Sequence, residues 1–330
     1  MVLLNQNSGY GQAILANLSS QVGVLGNIYV VMNSANSDEK NYQHMQDLFP
    51  ADPDGNTRFF TSLANAYAAC ESNNNDVILL DANSSHSQAM ITVSKSRVHF
   101  FGLDGGGRLN SQGTKISTPA TSVAASVAVI TNTGTRNTYH NIKFIQNGTN
   151  AAQNTAFHDT GEGTFCKNCS FHMNSLLSTA SRSSVKFAGD TCHYEDCQIG
   201  NSTVLATAGN VAPLLIMNPA RYSYFVNCKM ISYNTQTTAS CIDAPEADGV
   251  IGWIMFENCK LISANKGNGA TAAGAMAEAV TSIITSGFLY FDSQCNAFTT
   301  TRFGEADVSI ISAAIEPKAN GTGGIGIVSA

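Results

Sequence analysis

One six-residue word returns at nearly constant spacing through the middle of this chain. Its copies are Tyr139-His140-Asn141-Ile142-Lys143-Phe144, Cys166-Lys167-Asn168-Cys169-Ser170-Phe171, Tyr194-Glu195-Asp196-Cys197-Gln198-Ile199, Phe225-Val226-Asn227-Cys228-Lys229-Met230 and Phe256-Glu257-Asn258-Cys259-Lys260-Leu261. The Asn or Asp positions lie 27, 28, 31 and 31 residues apart, and a weaker copy surrounds Gln294-Cys295 another 36 residues on. Such self-similarity marks a stacked architecture: one repeat cannot bury its own apolar face and needs neighbours above and below.

The order inside each copy gives the shape of the repeat. An aromatic residue or Cys stands two places before the Asn/Asp, Ile or Cys one place after it, and a large apolar residue three places after it. A straight strand sends alternate residues to one face. Positions +1 and +3 obey that rule, but −2 and +1 differ by an odd number. Both sets face one core only if the chain bends at the Asn/Asp, the non-glycine types most at ease in the left-handed region. Strand, one-residue corner and strand, returning about every 30 residues, spell the coil of a parallel β-helix, an all-β solenoid.

Composition agrees with that reading. Of 330 residues only 12% are charged, with 17 Lys+Arg against 23 Asp+Glu for a net −6, while Asn, Ser and Thr number 93. Hydrogen-bonding turns and a neutral polar exterior are what these residues supply. No cluster of Lys/Arg is visible along the sequence, which argues against a nucleic-acid partner. No apolar run reaches the roughly 18 residues of a membrane span. The first residues show no basic, apolar and small-residue sequence of a signal peptide, so cytoplasmic synthesis is expected. Nine cysteines, odd in number and irregular in spacing, read as buried, reduced thiols stacked inside the coils. Cys166-x-x-Cys169 with Cys192-x4-Cys197 imitates a zinc spacing, but the repeat accounts for Cys169 and Cys197 without metal.

The flanks differ from the repeat. Residues 1–55 read as an N-terminal arm with one strand at Ile28–Met32, ended by Pro50, Pro53 and Gly55. Residues 56–330 form the β-helix domain. Its cap spans 56–110: a short strand at Arg58-Phe59-Phe60, a helix after Ser62 through Leu63, Ala66, Tyr67 and Cys70, then strands at 77–80, 90–93 and 98–101. Such a cap would close an edge that otherwise invites aggregation. The part from about 263 is irregular, and Thr271–Ser286 is ambiguous between helix and strand.

Chemistry is hard to find. The acids Asp159, Glu162, Asp190, Glu195, Asp196, Asp243, Glu246, Asp248 and Glu257 could cluster across coils. However, Val226 interrupts the column of Glu195 and Glu257, which breaks a carboxylate ladder. His158-Asp159 could pair a base with its orienter, yet no nucleophile stands near them. His99, His140, His172 and His193 are scattered over strands and read as structural. Asp104-Gly105-Gly106-Gly107-Arg108 lacks the Lys-Ser/Thr of a phosphate loop and reads as a turn. No catalytic, cofactor-binding or metal residue is assigned, and no cofactor is expected.

Phe59-Phe60-Thr61-Ser62-Leu63-Ala64-Asn65-Ala66-Tyr67 through Asp76-Val77-Ile78-Leu79-Leu80 resembles the entry to pectin-lyase-like right-handed β-helices, and the Asn-Cys-Lys copies resemble their coils. The resemblance spans about 56–300 and implies a right-handed solenoid; such folds host lyases, hydrolases and non-enzymatic tailspikes. More narrowly, Asp38-Glu39-Lys40-Asn41-Tyr42-Gln43-His44-Met45-Gln46-Asp47 and Asn141-Ile142-Lys143-Phe144-Ile145-Gln146-Asn147 resemble β-helical proteins encoded beside the major capsid protein in tailed phages of aquatic bacteria. That likeness implies a non-enzymatic virion protein on the capsid exterior. It would be a decoration or cement subunit, partnered by the major capsid protein and by itself as a homotrimer. The competing expectation is a tailspike-like protein that binds or degrades polysaccharide.

Overall fold

A computed structural model describes residues 26–33, 40–82, 85–104, 113–120, 128–149, 152–174, 182–206, 212–235, 240–246, 249–265, 273–279, 287–298, 300–304, 310–312, 315–316 and 324–325. Three long sheets run through it, each built from strands one coil apart. A middle coil passes through one strand of each: Phe165–Lys167 in the first sheet, Ser170–Met173 in the second and Ser183–Phe187 in the third. The pairing between coils is parallel; Phe165↔His193, Phe171↔Ile199 and Val185↔Leu214 are examples. The chain is a right-handed parallel β-helix.

The expected bend sits where the repeat places it. Asn141, Asn168, Asp196, Asn227 and Asn258 all adopt positive φ, between 49° and 57°. Each turns the chain from the first sheet into the second, and Asn141 N–H donates to Lys167 O one coil on, as Asn168 does to Glu195 and Asn227 to Glu257. Carboxamides add a side-chain ladder: Asn258 Nδ2 donates to Asn227 Oδ1 at 2.8 Å and Asn168 Nδ2 to Asn141 Oδ1 at 2.5 Å.

Inside the solenoid the two sets of inward residues stack on themselves. The rings of Tyr194, Phe225, Phe256 and Phe291 stack nearly parallel, with centroids 4.5–5.1 Å apart. Phe144 and Phe171 stack likewise at 5.1 Å. Stacked aromatic pairs contribute about 0.5–1.5 kcal/mol each beyond their burial. All nine cysteines are free and buried. Cys169, Cys197, Cys228, Cys259 and Cys295 follow the corners inward, and their thiols donate to backbone carbonyls such as Tyr139 O and Phe225 O. Burial pushes the pKa of Cys197, Cys228 and Cys259 far above the ordinary thiol value, so they stay protonated.

A second corner joins the third sheet to the first and was not expected. Arg97, Arg136, Gly163, Thr191, Tyr222 and Gly252 all have positive φ there. They share no chemical type, so no word in the sequence announces them.

The N-terminal cap extends further than the sequence reading places it. Ile28–Val31 lies within the first sheet, between Phe59–Phe60 and Asp76–Leu80. The helix Lys40–Leu48, unforeseen, covers that end: Met45, Leu48 and Phe49 bury against Val30, Val77, Leu79 and Phe101. The boundary expected at 55 therefore does not separate an arm from the solenoid, and residues 1–25 lie outside the described residues. The helix after Ser62 forms at Leu63–Ala69, with Leu63 and Ala66 in the main core. In the C-terminal part the ambiguous stretch contains the strand Ala273–Ala279, while 280–286 lie outside the described residues.

Candidate functional site

Stacking assembles a feature invisible along the chain. The residue two places after each corner points outward from the second sheet, because its neighbours at +1 and +3 point in. Register aligns these residues as Lys115, Lys143, Ser170, Gln198, Lys229, Lys260 and Asn296. Lys167 joins them from the last position of its strand in the first sheet. Five of the ten lysines of a chain with net charge −6 thus lie along one edge of the solenoid. An open groove of about 580 Å³ follows this edge. Its floor is the asparagine ladder of Asn141, Asn168, Asn227 and Asn258, and its walls carry His140, Lys167, Lys229 and Lys260 with Asp196 among them.

Local electrostatics grade these cations. Lys167 Nζ donates to Glu195 Oε1 at 2.8 Å, and that hydrogen bond raises its pKa. Burial lowers the pKa of Lys143, and the neighbouring charge of Lys115 lowers it further. His140 is lowered by burial and then by Lys167, so at neutral pH it is an uncharged hydrogen-bonding group. Lysines border the edge as two pairs, Lys115 with Lys143 and Lys229 with Lys260, each pair about one coil or 4.8 Å apart, with the buried Ser170 and Gln198 on the coils between. The groove can hold an extended anion through repeated charge-assisted hydrogen bonds.

The acids singled out in the sequence do not converge. Asp159 points into the core, where Tyr194 Oη donates to it at 2.6 Å, Asn132 Nδ2 at 2.9 Å, Thr164 Oγ1 at 3.0 Å and Gly161 N–H at 3.1 Å. Burial raises its pKa despite these donors. His158 faces outward from the same strand, so strand alternation parts it from Asp159 and removes that base–orienter pair. Glu162 and Asp190 stand immediately before the second corner, at Gly163 and Thr191, and Arg221 pairs with Asp190 at 2.8 Å. Glu195 is held by Lys167, and Glu246 accepts from Asn218 N–H at 2.8 Å. Asp196 lines the groove, Glu257 stands on the outer face of the first sheet, Asp243 faces outward from the third, and Asp248 lies outside the described residues. His99 and His172 are buried, whereas His193 is partly exposed. The glycines of 105–107 lie outside the described residues. Among the described residues no group of three or more His, Cys, Asp or Glu side chains is placed to hold a metal ion.

No protein-family model matches the chain, and no curated protein matches it in sequence. Solved structures do match. A pectin methylesterase mutant in complex with a hexasaccharide aligns over 91% of this chain and 85% of its own, at TM-score 0.50 and 13% identity. A pectate lyase, Pel9A, aligns over 88% and 82% at TM-score 0.43 and 12% identity. ORF18 of Geobacillus virus E2 aligns over 76% and 57% at TM-score 0.33 and 10% identity. The first of these fixes the pectin-lyase-like fold and nothing finer.

These matches correct one expectation. A non-enzymatic chain was expected because no catalytic motif is visible, but the matched pectin methylesterase is an enzyme. The physical reason the inference fails is the coil. A β-helix composes any site from residues 27–31 positions apart, as it does this groove, so a missing linear motif does not argue against chemistry.

Proposed function

We propose that this β-helix binds an extended acidic polysaccharide along its lysine-lined corner. The observation that carries the reading is the gathering of five lysines on one edge of an otherwise charge-poor, acidic chain. A linear polyanion laid along the solenoid would meet a cation or a carboxamide at nearly every coil. The rigid asparagine ladder fixes their spacing before binding, which limits the ordering cost. The test is retention of the protein on immobilised polygalacturonate, with an uncharged glucan and double-stranded DNA as controls. Retention on the uronate that falls with salt and is weakened about tenfold or more by Lys229→Ala with Lys260→Ala is expected. Equal retention on the uncharged glucan, or on DNA alone, would overturn the reading.

A second reading places the solenoid on a virus particle, as a capsid decoration subunit that contacts the major capsid protein and assembles as a homotrimer. It is favoured by the phage-like words around 38–47 and 141–147. It is also favoured by the fixed attachment of the N-terminal segment, since Gly26 N–H donates to Asn75 O at the head of the first sheet. Deleting residues 1–25 should then abolish particle incorporation while the coils stay folded by circular dichroism. Full incorporation of the truncated protein would sink this second reading.

A further inference from the structure

The outer face of the first sheet carries a column of large side chains in register: Phe165, His193, Tyr224 and Met255. At the second corner this column widens. Arg221 pairs with Ile251 and Ser223 with Ile254, so two residues, Gly252 and Trp253, stand opposite the single Tyr222. The extra residue is the only tryptophan of the chain. It meets Tyr224 edge to face at 4.8 Å and Tyr222 at 5.7 Å. Tyr222 holds a left-handed φ of 48° and remains 42% exposed. Its ring lies over Gly252, where an added Cβ would come within 2.4 Å of Tyr222 Cε1. A strained tyrosine, a glycine that makes room for its ring and an inserted tryptophan together build an angular aromatic cradle open to solvent.

We infer that Tyr222, Tyr224 and Trp253 form a stacking subsite for a pyranose ring. The surroundings select that occupant over an apolar protein surface. The Arg221–Asp190 pair flanks the cradle on one side and His193 with Glu195 on the other, so hydrogen-bonding groups surround a small apolar floor. A sugar ring presents that combination, with C–H faces for the aromatic rings and hydroxyls at its edge for the charged groups. The subsite also adjoins the groove: Glu195, which holds Lys167, shares a strand with His193 of the aromatic column. This inference rests on the polysaccharide reading above, and it adds the place where a sugar residue stacks.

The single tryptophan makes the test direct. The intact protein is titrated with hexasaccharides of galacturonic acid and of glucose while tryptophan emission is followed, and retention on immobilised polygalacturonate is measured in parallel. A saturable emission change is expected with the uronate. Trp253→Ala and Tyr222→Ala should each weaken retention about tenfold, the range of an aromatic anchor, with an unchanged circular dichroism spectrum. Gly252→Ala should weaken it too, by displacing the tyrosine ring while Trp253 stays in place. Retention that depends on Lys229 and Lys260 but gives no emission change and survives Trp253→Ala overturns the subsite and leaves the groove standing. No retention on any glycan overturns both. A change of oligomeric state in Trp253→Ala with retention intact would identify the cradle as an interface between copies, and would also overturn the subsite.

Discussion

Two stretches of the first sheet treat the same problem in opposite ways. At its N-terminal end the strands Ile28–Val31, Asp76–Leu80 and Val98–Gly102 are buried on both faces. The chain itself covers them, with the helix Lys40–Leu48 and the Tyr42–Phe59 edge contact at 4.9 Å. Half-way along, Phe165, Tyr224 and Trp253 occupy the same outer face without such a cover among the described residues, and their strands alternate buried and partly exposed positions. Continuous apolar runs are what a parallel sheet covered on both faces requires. Among the described residues the large aromatic side chains of the half-bare stretch pack edgewise on one another rather than beneath a covering element. The difference separates side chains kept for the fold from those free to meet a ligand.

The largest effect that could break this comparison is on stability. Leu79→Ala removes a buried side chain beneath the covering helix and should cost about 2–5 kcal/mol, read from the urea midpoint. Tyr224→Ala, on the half-bare stretch, should cost less than about 1 kcal/mol. If the two losses were equal, the outer aromatic column would be a structural layer, and its availability to a ligand would be lost as an argument.

A pH titration sharpens the comparison at a smaller scale. His99 stands in the same outward column as Phe165 and His193, but under the cap, where burial drives its pKa down to about 4 and the charge of Arg97 adds to the shift. Between pH 4 and the ordinary value of 6.5 the unfolded chain binds a proton that the native state refuses. Stability therefore rises with pH across that window and is lost on acidification, by up to ~1.4 kcal/mol per pH unit for this group. His99→Gln should flatten that part of the curve in urea unfolding followed from pH 4.5 to 7. An unchanged slope would mean the cap does not seal that position.

The sequence and the structure agree where residue type follows from backbone geometry. Asn at a one-residue corner is legible because few other side chains tolerate positive φ, and the thiols behind it follow by alternation. The second corner meets the same demand with Arg136, Gly163, Thr191 and Tyr222, and no common word betrays it. The groove was half legible. Lysine follows the corner by two places in Asn141-Ile142-Lys143, Asn227-Cys228-Lys229 and Asn258-Cys259-Lys260, a signal that could have been followed. Lys115 and Lys167 join only through register, which linear spacing does not reveal. Trp253 was hidden for another reason: one inserted residue shifts the pairing, and the 31-residue spacing of the Asn corners on either side does not register it.

The smallest predicted effect tests whether the fold and the groove ask different things of one residue. Asn227 has φ 54° and accepts from Asn258 Nδ2 across the groove floor. Asn227→Ala keeps a Cβ in a left-handed corner and should lower stability by about 1 kcal/mol. Asn227→Gly relieves that strain and should stay within a few tenths of a kcal/mol of the parent, since glycine takes positive φ freely. Both variants remove the carboxamide, so both should loosen retention on polygalacturonate by a similar, modest factor. If glycine restored retention as well as stability, the corner would matter only through its backbone. Equal loss in both variants would show that geometry allows glycine there and that the groove is what calls for asparagine. Under the cap, apolar side chains such as Val77 and Leu79 offer no such separation, because packing decides them.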